Sequence, residues 1–550
     1  MRRARILGQY FTPEPVVELC YRMLGILDPD ARNPSIMDPA CGDGAFLRYA
    51  LEHGISTRVS GTEKDPGVAA SWEAQGLSGR ADLTIGDGLS LLPLAHSPTR
   101  PLSFDWVVGN PPFGTRCLGE EADLEALARN YTIWRESRIR PRMLATYPIE
   151  ILFLERFVRL AKPGGYVAII VPDGILANAR LSYVRQWLAA HAEIKAVVSL
   201  PQHVFSRTGA SSKGSILVLQ RNRQGTKGKE RRGDKASGRV GEWEDASVGV
   251  WECGSTGVSE RGSVGDRSLI THHSSAVFLA ALESRGPIRS GLPGLAKLFS
   301  DFVHSNSELR TPNSALDCPP WAVYPVECLR PGDRLDPAYH HPRYVENIRF
   351  LRSRLPNVVT LGELIEYTTY GQVGRRELAD SGVRLITPAN FVMTEDGYTS
   401  GLDIHSPERF TAPGSRNDPP RSRLRKGDLL LVNSGVGCIG RAAVFYGDEP
   451  CNISQHVNLI RVRVIEPEYL AVYLQTSYAR LQIAREKCGV GACGINFDRI
   501  KSILVPVLPE EVRRDVCRRY QNQQSAGDHA FIGRLVHAVE AFIQKGSPPL

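Results

Sequence analysis

The tetrapeptide Asn110-Pro111-Pro112-Phe113 gathers residue types that can do chemistry, and it follows directly on the apolar run Phe104-Asp105-Trp106-Val107-Val108-Gly109. Each proline fixes φ and removes a backbone N–H, so carbonyl oxygens are presented without competing donors beside them. The turn is therefore an acceptor site: the Asn110 carboxamide oxygen and the Pro111 carbonyl can receive hydrogen bonds while staying neutral. An aromatic amine is a poor nucleophile because its lone pair is delocalised into the ring. Accepting hydrogen bonds from its N–H groups favours the pyramidal, nucleophilic form. Preorganised acceptor dipoles also stabilise the positive charge that builds on the nitrogen during attack, so no titrating base is required. Phe113 offers a face on which a base can stack, and a base in a duplex must leave the helix to reach it, at a cost of a few kcal/mol. Taken alone, the four residues also fit a strand-ending turn with a packed ring, and the segments before them decide between the two.

Asp38-Pro39-Ala40-Cys41-Gly42-Asp43-Gly44-Ala45-Phe46 follows an apolar strand and runs straight into a helix expected over 46–53. Strand, glycine turn and helix let the backbone approach a ligand closely at the carboxyl edge of a parallel sheet, which nominates Asp38, Ala40, Gly42 and Gly44. The segment lacks the three-glycine fingerprint that pyrophosphate binding favours. The acidic Asp38 also argues against a phosphate and suits a cation such as an aminoacyl sulfonium. Glu63 ends the next strand, where a carboxylate can accept from both hydroxyls of a ribose. Asp87, in Ile85-Gly86-Asp87-Gly88, ends the third and can accept from an adenine amine. Any one of these acids also fits a helix cap or turn. Acids at three successive strand ends make coincidence much less likely, and together they suit an aminoacyl sulfonium bearing a ribose and an adenine, the parts of S-adenosyl-L-methionine.

These residues need a sheet to hold them. From about 34 to 220, short β-branched or apolar runs alternate with amphipathic helical stretches, the pattern of a doubly wound α/β domain. Strands are expected at 35–37, 58–62, 83–85, 106–108, 166–171, 196–200 and 215–220. A helix over 150–160 should stop at Lys162-Pro163-Gly164-Gly165. After Arg221 the composition turns to Gly, Lys and Arg until about Val240, reading as a solvated basic spacer or as an arm contacting nucleic acid. Residues 243–320 are poorly patterned, with a helix around 276–283 as the single expected element. Short strands and turns resume from about 321, at 383–386, 428–432, 442–445 and 457–464, and mark a second, α+β domain. The region 510–544 is helical and rich in polar residues, and is expected to extend from that domain as an interaction helix. The expected division is thus 1–222, a connector over 223–320, a second domain over 321–509 and a helical extension over 510–550.

At 550 residues the chain is long enough for about three domains. Its 42% hydrophobic and 23% charged residues are ordinary for a soluble protein, and no apolar run approaches a membrane span or a signal-peptide core, so a cytoplasmic location without membrane contact is expected. Eleven scattered cysteines form no C-x-x-C pair or zinc-spaced cluster, so neither a metal nor a disulfide framework is expected. The net charge of +8 permits an anionic partner without identifying one.

Gly8-Gln9-Tyr10-Phe11-Thr12-Pro13, then DPACGDGAF, Glu63, Asp87 and NPPF, resemble in order the N6-adenine DNA methyltransferases of the gamma-type motif arrangement, especially the modification subunits of type I restriction-modification systems. The resemblance covers roughly residues 1–220. It implies that Tyr10, Phe11, Thr12 and Pro13 close over the methionine part of the cofactor. It also implies that Phe205, in Leu200-Pro201-Gln202-His203-Val204-Phe205, packs against a flipped base. The later segments Arg334-Leu335-Asp336-Pro337, Leu424 to Gly435, Asn452-Ile453-Ser454-Gln455-His456 and Ile495 to Pro509 resemble a target-recognition domain of type I specificity subunits. That implies double-stranded DNA as partner, with the helix after Pro509 docking on another subunit. Those subunits usually carry two such domains, and one is visible here, so a bipartite target would need a homodimer or an added specificity partner. No Walker-type loop or nuclease carboxylate–lysine cluster is found, which assigns cleavage and translocation to other proteins. The expected activity is adenine methylation within restriction-modification or related antiphage defence. Methylation of RNA or of a protein glutamine, and a catalytically silent DNA-binding subunit, are the alternatives.

Overall fold

The computed structural model describes residues 12–90, 103–114, 121–137, 141–201, 204, 213–223, 277–282, 292–304, 321–326, 332–371, 378–487, 494–526 and 530–545. Its largest element is a nine-stranded sheet of β1 (Ile36–Asp38), β2 (Val59–Glu63), β3 (Asp82–Ile85), β4 (Phe104–Gly109), β5 (Ala161–Pro172), β6 (Ala192–Ser199), β7 (Gly214–Arg221), β8 (Val277–Leu282) and β9 (Trp321–Val326), in the order β3-β2-β1-β4-β5-β7-β6-β8-β9. The five strands from β3 to β5 are parallel, while β7 runs antiparallel to both β5 and β6. Both faces are covered, and the period-2 alternation of each strand divides the core accordingly. Trp106, Val108, Ala168, Ile170, Ile216 and Val218 face a cluster completed by the helices Glu14–Leu27, Ala45–Glu52 and Leu292–His304. Their neighbours Val107, Val167, Ile169, Leu217 and Leu219 face the opposite cluster, built on the helices Ile149–Leu160 and Ser182–His191.

The seven expected strands all form. β5 begins earlier than expected, at Ala161, because the chain after the helix Ile149–Leu160 turns directly into extended structure, with Gly164 at φ 82 and a register shift against β4.

The connector departs more. Where a helix was expected around 276–283, the chain forms β8, which lies parallel to β6 and antiparallel to β9. Its apolar residues alternate between the two clusters, Phe278 and Ala280 on one side and Val277 and Leu279 on the other. A short apolar run buried on both faces has no periodicity that separates strand from helix, and sheet pairing decides it. The helix Leu292–His304, unforeseen, packs on the helix Glu14–Leu27. Trp321–Val326, expected to open the second domain, is the last strand of the first sheet.

The second unit holds a four-stranded sheet of β11 (Ile365–Tyr370), β19 (Val457–Val462), β16 (Leu429–Val432) and β17 (Ala442–Val444), paired antiparallel in that order. A three-stranded sheet of β15 (Phe410–Thr411), β12 (Val383–Ile386) and β18 (Cys451–Ile453) lies with it, and β10 (Val358–Thr360) pairs with β20 (Leu504–Pro506), as β13 (Phe391–Met393) does with β14 (Thr399–Leu402). Leu429 and Leu431 of β16 face a helical core, and Leu430 and Val432 face a second cluster with Ile386, Cys451 and Ile453. The end of the chain does not extend as a single helix. Glu510–Ala526 and Phe531–Lys545 bury Val512, Val516, Tyr520, Ile532, Val536, Val539 and Ile543 in that helical core. The apolar positions of each helix fall at three- and four-residue spacing, a stripe wide enough to demand a partner surface. Among the described residues no helix is long and apolar enough to cross a membrane.

Candidate active site

Four adjacent parallel strands end side by side, and each delivers one of the candidate polar residues. In the order β3-β2-β1-β4 the edge carries Asp87 two residues beyond β3, Glu63 as the last residue of β2, Asp38 as the last of β1 and Asn110 just beyond β4. The pairings Asp38↔Gly61, Glu63↔Ile85 and Met37↔Val107 hold this row in register.

Hydrogen bonds tie the 38–44 loop to the neighbouring strand ends. Ala40 N–H donates to Asp38 Oδ1 at 3.0 Å and Cys41 N–H to Thr62 O at 3.0 Å. Glu63 accepts from Gly42 N–H at 3.0 Å and from Asp65 N–H at 2.9 Å, and Trp72 Nε1 donates to Gly42 O at 2.8 Å. Gly44 sits at φ 87, a left-handed conformation that glycine adopts without penalty, and starts the helix Ala45–Glu52. Gly88 permits a closer approach still: a β-carbon there would stand 1.8 Å from Pro39 O, so the loops after β1 and β3 touch only because that position has no side chain.

The electrostatics of the row are acidic. Asp38 is 1% exposed, and its carboxyl is pushed up to about 8, first by desolvation and then by the neighbouring Glu63 and Asp43. Burial also raises the Asp43 carboxyl, against the opposing pull of Arg48. Asp87 is more open and accepts from Leu89 N–H at 3.0 Å while pairing with Lys64 at 2.8 Å. A desolvated acid beside further acids is a poor host for phosphate and a good one for a cation, so this set of acceptors fits an aminoacyl sulfonium with a ribose and an adenine amine.

The acceptor turn is coupled to this loop. A β-carbon on Gly109 would stand 2.5 Å from Asp38 Oδ1, so the backbone entering Asn110 lies against the buried carboxyl. Asn110 Oδ1 is shielded from solvent, Pro111 is buried and Pro112 partly exposed. Phe113 is 3% exposed and belongs to the apolar cluster that includes Phe46 and Val204.

The structure thus brings together Asp38, Ala40, Gly42, Gly44, Glu63, Asp87, Asn110, Pro111, Pro112 and Phe113. Thr12 and Pro13 lead into the helix Glu14–Leu27, which reaches the cofactor-side helix through Tyr21 Oη donating to Phe46 O at 2.9 Å. Tyr10, Phe11 and Phe205 lie outside the described residues, as does the basic segment after Arg223. Sequence reasoning missed Gly88 and Gly109 as contact points, although both stand beside nominated residues. It also missed Trp72, for which no local signal exists.

Comparison with known proteins finds sequence similarity over the first unit. The family model described as N-6 DNA Methylase matches residues 2–66 and 80–233. A type I restriction enzyme EcoEI methylase subunit of Escherichia coli is 27% identical over 213 residues, covering 36% of this chain and 40% of that protein. The type II methyltransferase M.TthHB8I of Thermus thermophilus is 28% identical over 225 residues, covering 41% and 46%. The chain therefore spans less than half the length of these curated relatives. Among solved structures, the type IIG restriction endonuclease BpuSI aligns over 93% of this chain and 61% of its own, at 14% identity and a TM-score of 0.44.

Proposed function

We propose that this protein transfers a methyl group from S-adenosyl-L-methionine to the exocyclic N6 amine of adenine in double-stranded DNA. The observation that carries the reading is the row of four strand ends, with three acids and then Asn110 on neighbouring parallel strands. The family match over the first unit and the DNA methyltransferases among its relatives support it.

In this reading Asp38, Ala40, Gly42, Gly44, Glu63 and Asp87 hold the cofactor, with Tyr10, Phe11, Thr12 and Pro13 closing over it. The cofactor supplies an electrophilic methyl group on a sulfonium. Asn110 Oδ1 and the Pro111 carbonyl accept the two N–H bonds of the target amine, orienting its lone pair and stabilising the charge it acquires. Proline at 111 and 112 keeps those acceptors in place without rival donors. Phe205 forms a stacking surface for a base taken out of the duplex, and Phe113 joins it only on leaving the apolar cluster that holds it beside Phe46 and Val204. The second unit selects the DNA sequence, and the enzyme serves a restriction-modification or related defence system, with any nuclease, translocase or further specificity element on a partner or a second copy.

Asn110→Ala is expected to retain calorimetric binding of S-adenosyl-L-methionine and to lose transfer of labelled methyl groups to DNA by at least about 10²-fold, the cost of one preorganised polar contact in a transition state. Full activity in that variant would refute the acceptor mechanism. Label appearing in RNA or in protein glutamine instead of DNA would reassign the substrate.

A further inference from the structure

The acceptor turn is flanked at both ends by carboxylates, Asp38 buried and Glu150 half-buried. On the cofactor side Asp38 abuts Gly109. On the other side Glu150, in the first turn of the helix Ile149–Leu160, lies near enough to the N–H of Gly114, the residue that follows Phe113, for that dipole to favour its carboxylate. An acid in a first helical turn is ordinarily explained by the unpaired N–H groups there, and the Glu150 amide does favour its own carboxylate. Two further facts go beyond that explanation. Its Oε2 is closed off from solvent and has no hydrogen-bond partner among the described residues. Desolvation raises its carboxyl pKa, and the opposing influences are those two backbone N–H groups rather than a lysine or arginine. A buried carboxylate oxygen left in this state costs stability, and such groups concentrate where charge is to be met. Glu150 also lines a cleft of about 1160 Å³ between the two units, whose other wall includes Tyr370, Asn433 and Asn496.

We propose that Glu150 is a positioning residue for the acceptor turn, fixing its Gly114 end and holding a negative charge near the place where the substrate amine becomes cationic. The inference rests on the amine-methylation reading given above. Gly114 lies four residues from Asn110, at most about 14 Å of extended chain. At an effective dielectric of about 20, a unit charge roughly 10–15 Å from the amine is worth on the order of 1–2 kcal/mol, on the order of tenfold in rate.

Glu150→Gln keeps an oxygen acceptor for Gly114 and nearly the same volume, and removes only the charge. In the 550-residue chain kcat for methyl transfer to unmethylated plasmid DNA should fall on the order of tenfold. The KM for DNA and the calorimetric Kd for S-adenosyl-L-methionine should not move, and the melting temperature of the free protein should hold or rise. A wild-type kcat in this variant would reduce Glu150 to a backbone anchor and overturn the proposal, as would a fall in kcat accompanied by weaker cofactor or DNA binding. If the wild-type protein methylates no DNA adenine, the functional reading itself fails. The melting experiment then still decides on Glu150, because a variant less stable than wild type would show that its charge is already compensated.

Discussion

Protonation of Asp38 should govern cofactor affinity across the neutral range. Its carboxyl, pushed up to about 8 by burial, stands well above the value near 3.9 of an unfolded aspartate. Between those values the folded protein binds more protons than the unfolded one. The stability associated with Asp38 is therefore complete below about pH 4 and is lost as pH rises through about 8. A cationic ligand reverses the preference, because it favours the carboxylate. If the ligand binds only the ionised form, the competent fraction of free protein is about one in a hundred at pH 6 and about one in two at pH 8. The apparent Kd for S-adenosyl-L-methionine should then tighten about fifty-fold over that range and level off above it, with close to one proton released per cofactor bound at pH 6 to 7. Calorimetry in two buffers of different ionisation enthalpy measures both quantities. Asp38→Asn should abolish the proton release and hold affinity at the weak, acid-limit value. A Kd independent of pH from 6 to 8, with no proton released, would refute the assignment of Asp38 as the cation's partner.

Two substitutions separate the site from its scaffold. Gly88→Ala places a methyl group 1.8 Å from Pro39 O and 3.3 Å from the Phe153 ring, so the loops after β1 and β3 must part; cofactor affinity measured by calorimetry should fall tenfold or more. Glu155 is fully buried and accepts from Thr132 N–H at 3.0 Å, Thr132 Oγ1 at 2.9 Å and Ile133 N–H at 2.7 Å, with Arg159 as its ionic partner. Glu155→Ala should therefore cost about 2–4 kcal/mol in denaturant unfolding, chiefly because the Thr132 and Ile133 donors lose their buried acceptor.

The residues along the strand-end row were legible because local chemistry announces them: an acid in a glycine turn after an apolar run, and a double proline after a buried strand. Their meeting on one edge follows from the parallel order of short strands, which alternation with helices makes readable. What stayed hidden depends on contacts distant in sequence. No local pattern tells that Gly88 touches Pro39, that Trp72 holds the Gly42 carbonyl, or that Glu150 reaches Gly114. β8 was misread as a helix because Val277–Leu282 is apolar throughout, and a strand buried on two faces shows neither period. The final helices were expected to reach outward because polar residues outnumber apolar ones there. The stripe Val512, Val516, Tyr520 is nevertheless continuous enough to be buried.

The most direct test of the central claim is nucleoside mass spectrometry on unmethylated duplex DNA incubated with the purified protein and isotopically labelled S-adenosyl-L-methionine. The account predicts labelled N6-methyladenine with the wild-type chain and none with Asn110→Ala. Label confined to cytosine, or absent from DNA while the cofactor binds normally, would contradict it.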